Sequence, residues 1–178
     1  MKGNKLIVIF LIKFFGTYTV LFFLYSYYLA QNQVTTDPYS CAPVTISVAE
    51  QSKWLLNTVG YNAELQQHPD EVSIKMILNG YYISRVIEGC NSISIIILFI
   101  AFIVAFSNGI LKTSMYIVAG SLLIYTVNII RIAFINIAIY KFPEHLFLLH
   151  DLLFPAIIYG TTFLLWFVWV RYYSKLKG

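Results

Sequence analysis

A chain of 178 residues that is 59% hydrophobic, 17% aromatic and only 11% charged, with a mean hydropathy of +0.73, is too apolar for a soluble domain and reads as an integral membrane protein. Its net charge of +4 comes from lysines and arginines that flank apolar runs, so it gives no support for a nucleic-acid partner and makes the lipid bilayer the first partner expected. His68 and His145 make no ligand spacing with Cys41 and Cys90, so neither a metal nor a cofactor is expected.

Four apolar runs, residues 7–29, 90–106, 115–135 and 152–170, each have roughly the ~17 to 25 residues that cross ~30 Å of hydrocarbon as a helix. The first is longer than a signal-peptide core and lacks a clear A-x-A site, which predicts a retained helix with Lys13 snorkelling to the cytoplasmic interface. The expected fold is therefore an α-helical integral membrane protein with four spans and a small α+β extracytoplasmic segment. Its expected divisions are residues 1–30, a first helix; 31–89, the loop segment; 90–171, a three-helix core; and 172–178, a basic tail.

The loop segment opens on Asp37-Pro38 and Ala42-Pro43. Apolar residues then recur at helical spacing over 44–59, predicting an amphipathic helix that ends near Gly60. Residues 72–78 and 81–87 are rich in β-branched and aromatic side chains and flank Asn79-Gly80, a hairpin signal. The second of these strands runs into Glu88-Gly89-Cys90-Asn91-Ser92, at the head of the second apolar run. A thiol in the first turn of a membrane helix would gain from the helix N-terminus while staying within reach of water. Beyond the Asn108-Gly109 turn, the third run carries Asn128 and Arg131. An arginine near the middle of a membrane helix costs on the order of 2.5 to 3.5 kcal/mol, so it faces a partner or a wet cavity; Glu88 and Asp151 are candidate partners. His150-Asp151 heads the fourth run, where Pro155 and Gly160 allow a kink.

Sidedness joins these parts. With a cytoplasmic N-terminus, Lys2, Lys5, Lys13, Lys112, Arg171, Lys175 and Lys177 all lie inside, and the long loop outside is poorer in basic residues. Both termini are then cytoplasmic, and Cys90, Arg131 and His150 converge on the outer face. A thiol, a guanidinium and an imidazole at one depth are the parts of acyl transfer: nucleophile, charge stabiliser and proton carrier. Asp151 or Glu88 would orient the imidazole.

On Glu88-Gly89-Cys90-Asn91-Ser92, Asn128-Ile129-Ile130-Arg131-Ile132 and His150 followed by a membrane helix, the chain resembles the exosortase and archaeosortase family of membrane cysteine transpeptidases, in particular its short XrtF-type members. The resemblance runs from about residue 80 to residue 173. It implies Cys90 as nucleophile, Arg131 as the family's arginine and His150 as proton carrier. Relatives often carry Cys-Ser-Gly where this chain has Cys90-Asn91-Ser92, and most have more than four spans. The resemblance also implies the partners: exported proteins ending in a sorting signal, a membrane helix and a basic tail, together with an acceptor amine of unspecified identity. The implied location is the cytoplasmic (inner) membrane. Two other readings compete. A Cys41 to Cys90 disulfide would leave a non-catalytic membrane subunit or receptor. A small transporter would line its path with Arg131, but it would need further buried charges or broken helices, which the apolar runs lack.

Overall fold

The structure, a computed structural model, describes residues 2–33, 39–145 and 154–173. Helix α1, Lys2–Asn32, leads into the loop segment, which contains α2, Pro43–Thr58, and a three-stranded sheet. The strands are β1, Ala63–Gln67; β2, Ile74–Leu78; and β3, Tyr81–Val86, in the order β1-β2-β3, antiparallel throughout. A 3-10 turn over Glu88–Asn91 follows, then α3, Ile93–Ala105, and α4, Ile110–Lys141. Last comes α5, Phe154–Val168, whose end winds as a π-helix over Trp169–Tyr173.

The hairpin forms because Asn79 and Gly80 both take positive φ, 51° and 85°, giving the tight turn whose twist suits two antiparallel strands. The bulge at Met76/Ile77 against β3 tightens the twist. Strand β1 was not expected from the sequence. It pairs with β2 from Ala63↔Leu78 to Gln67↔Ile74 and is largely polar, with only Ala63 fully buried.

Among the described residues two helices, α1 and α4, are long and apolar enough to cross a membrane. At 13 residues, α3 is only ~20 Å long, short of the ~30 Å hydrocarbon layer. The second apolar run is shortened because Cys90, Asn91 and Ser92 are turn rather than helix. The 32 residues of α4 span ~48 Å, and its last turns rise beyond the lipid-sized part of the helix into the loop segment.

Neighbouring helices run in opposite directions. Tyr25 of α1 meets Asn91 at the head of α3, and Phe10 packs 4.7 Å from Phe106 at its tail. At that same tail, the Trp169 Nε1–H donates to Phe106 O at 3.1 Å and Tyr116 Oη donates to Leu165 O at 2.7 Å. Two cores result. One, among the helices, centres on Phe99, Ile103, Ile124, Ile158 and Trp169. The other joins α2 and the sheet to the far end of α4, through Val48, Leu56, Ile74, Met76, Ile132 and Ala133.

Candidate active site

The site lies where these cores meet. Along α4, Ile124 belongs to the helix core and Ile132 to the loop-segment core, with Asn128 and Arg131 between them. Cys90 enters the same seam from the 3-10 turn and packs, half-buried, against the second core.

That turn is fastened from three sides. The Glu88 carboxylate accepts from Ala42 N at 2.6 Å and from the Thr45 hydroxyl, which ties the turn to the start of α2. The Asn91 amide donates to Tyr25 Oη at 2.6 Å and to Thr45 Oγ1 at 2.9 Å, while its Oδ1 accepts from Ile93 N at 3.0 Å. The Asn128 amide donates to the Cys90 carbonyl at 2.7 Å. Ser92 then takes a left-handed conformation, φ 63° and ψ 0°, one that glycine adopts without a Cβ penalty.

Three sequence expectations change here. Cys90 does not sit in the first turn of α3: its own N–H donates to Ile87 O at 2.8 Å, and the first α3 amide already serves Asn91. The help expected from a free amide of the α3 terminus therefore falls away. The Cys90 thiol and the Tyr159 hydroxyl of α5 are the acidic groups that act electrostatically on the Arg131 guanidinium. Second, among the described residues Glu88 is not an ion-pair partner of Arg131; its two oxygens accept from the Ala42 amide and the Thr45 hydroxyl. Among the described residues Arg131 forms no ion pair, and its Nε is buried with no hydrogen-bond partner. Third, Cys41 and Cys90 are free thiols, not a disulfide. Burial pushes the Cys41 thiol up to about 11, with Glu88 and then Cys90 adding to the shift.

His150 and Asp151 lie outside the described residues, as does the side chain of His145. The helix that follows them brings Tyr159 into the electrostatic neighbourhood of Arg131. Among the described residues no three His, Cys, Asp or Glu side chains gather as metal ligands. Sequence reasoning gave no role to Tyr25, Thr45, Asn91 or Tyr159. A polar side chain inside an apolar run, as with Asn128, was the one available signal.

Fold and seam together define a helical membrane protein with a small α+β unit seated over a thiol and an arginine. A family comparison matches residues 6–171 to the model described as Transmembrane exosortase (Exosortase_EpsH), and the chain belongs to the transmembrane exosortase family. Comparisons with curated proteins and with solved structures give no match. Membership makes the chain a membrane protein of a cysteine-peptidase-like family that acts on C-terminal sorting signals.

Proposed function

We propose that this chain is a cysteine transpeptidase that cuts exported proteins at a C-terminal sorting signal and passes them to an acceptor amine. The observation that carries the reading is that Asn128 ties the Cys90 carbonyl to α4 at 2.7 Å, one turn before Arg131, whose buried Nε has no hydrogen-bond partner among the described residues. A buried, unpaired guanidinium N–H beside a thiol is a donor held ready for charge that appears during reaction.

In the proposed reaction the Cys90 thiolate adds to the scissile carbonyl, and Arg131 stabilises first the thiolate and then the oxyanion. His150, having taken the thiol proton, returns it to the departing nitrogen as the C–N bond breaks, leaving an acyl thioester on Cys90. An acceptor amine attacks that thioester, its proton passes to His150, and the thiolate leaves. Water substitutes for the amine where none is bound, giving plain hydrolysis.

The proposed topology is four spans in the cytoplasmic membrane, with both termini inside and the seam at the outer face. In it α1 is the first span, the α+β unit lies outside over residues 31–89, residues 90–171 form the catalytic core, and 172–178 form an inner basic tail. A substrate anchored by its own helix and basic tail would present its cleavage point at the depth of the seam. Cys90→Ala, Arg131→Ala and His150→Ala should each abolish processing of a tagged sorting-signal protein, whereas Cys41→Ser and His145→Ala leave it largely intact. Wild-type processing by the Cys90→Ala protein would overturn the assignment.

A further inference from the structure

Asn128 is 2% exposed in the middle of an apolar helix, where a side-chain amide is costly unless bonded. Its amide donates to the carbonyl of Cys90, at 2.7 Å. That carbonyl needs a partner from outside its own turn. The 3-10 turn ends at Asn91, Ser92 reverses the backbone, and the Ile93 N–H is donated to Asn91 Oδ1. The carbonyl of the cysteine is thus held by another helix, while its N–H stays within its own turn.

Arg131 lies three residues after Asn128 on α4, so the two side chains leave the same face of that helix. One face of α4 therefore carries both the clamp on the Cys90 backbone and, one turn on, the root of the Arg131 side chain. Because the clamp and the charge share one rigid element, the Cys90 backbone keeps a set relation to that root without help from the substrate.

We infer that Asn128 is a positioning residue for the nucleophile: by hydrogen-bonding the Cys90 carbonyl it holds the thiol opposite Arg131. The inference rests on Cys90 and Arg131 being the reactive pair, and it is tested without any substrate. The full chain in detergent is alkylated in parallel with neutral iodoacetamide and anionic iodoacetate, and the ratio of the iodoacetate to the iodoacetamide rate at Cys90 is read by mass spectrometry. A guanidinium beside the thiol attracts the anion and raises this ratio. Cys41, 1% exposed, is the internal check on folding, because it is labelled only if the protein opens.

Arg131→Ala should lower the ratio by about fivefold, the scale of one charge pair at contact distance in a wet site. Asn128→Leu, which keeps Arg131 and the side-chain volume, should lower it by a similar factor with Cys41 still protected. Should Asn128→Leu expose Cys41, the smaller Asn128→Ala and the small, polar Asn128→Ser decide in its place. An unchanged ratio in folded Asn128 variants, alongside a fall in Arg131→Ala, overturns the positioning role alone. No fall in Arg131→Ala overturns the pairing of Cys90 with Arg131 and the positioning role with it.

Discussion

The two cysteines flank one hydrogen bond, from Ala42 N to Glu88 Oε1 at 2.6 Å, and differ in their access to water. Cys41 is 1% exposed, and desolvation penalises its thiolate, raising its pKa from 9.0 to about 11. Cys90 is half-buried, so its sulfur keeps an access to water that Cys41 lacks. Alkylation of the folded protein at pH 8 should therefore modify Cys90 and spare Cys41, as peptide mass mapping would read; equal labelling of both would contradict the burial. The same shift has a consequence for stability. A folded thiol that holds its proton more tightly than the unfolded one stabilises the fold fully below the ordinary range near 9, and this contribution is lost as pH rises toward about 11. Alkaline unfolding should begin at higher pH in Cys41→Ala than in the wild type, once each is scaled to its own stability at pH 7. Glu88 also shows how much a residue's meaning depends on its neighbours. Its place beside Cys90 suggests a catalytic carboxylate, yet both oxygens serve the Ala42 amide and the Thr45 hydroxyl, so it acts as a strut between α2 and the nucleophile's turn.

Among the elements, α3 packs the fully buried Phe99 ring against α4 at Gly120, where an added Cβ would lie 2.3 Å from its Cζ. Only a residue without a side chain lets that ring sit against α4. Gly120→Ala should cost about 1 to 3 kcal/mol through overpacking, and Gly160→Ala, with nothing within 4 Å of its added Cβ, should be neutral or slightly stabilising. Thermal unfolding in detergent measures both; equal effects would mean that the Phe99 contact is not what sets the helix spacing. The elements were legible in the sequence where local chemistry dictates them. Asn79-Gly80 encodes its turn directly, and α2 shows helical spacing because its buried face, Val48, Ala49 and Leu56, packs on one core. Strand β1 was not legible, since a short run with two glutamines carries little hydrophobic alternation and its pairing is supplied by β2. The start of α3 was placed too early for a similar reason. A left-handed Ser92 leaves no glycine to mark the break, and the bonds that hold it come from distant residues.

In the whole molecule, α4 is the shared axis: its first part belongs to the helix bundle and its last turns to the core of α2 and the sheet. On the proposed topology, a reactive thiol at that junction would meet a peptide bond just beyond the bilayer while its supporting side chains stay buried. Two parts of the candidate site, Cys90 and Arg131, stood out in the sequence because a thiol at the end of an apolar run and a charge inside one each call for a physical reason. The supporting shell of Tyr25, Thr45, Asn91 and Asn128 did not, because each pairing spans dozens of residues and no local pattern records it. The central claim is that acyl transfer passes through Cys90, and the direct test is to trap the intermediate. The full-length protein is mixed with a tagged sorting-signal substrate, quenched in acid during turnover and mapped by mass spectrometry. The account predicts a substrate acyl group on the peptide containing Cys90, removed by hydroxylamine and absent from Cys90→Ala. An acyl group on Cys41, or substrate cleaved by Cys90→Ala at the wild-type rate, would contradict it.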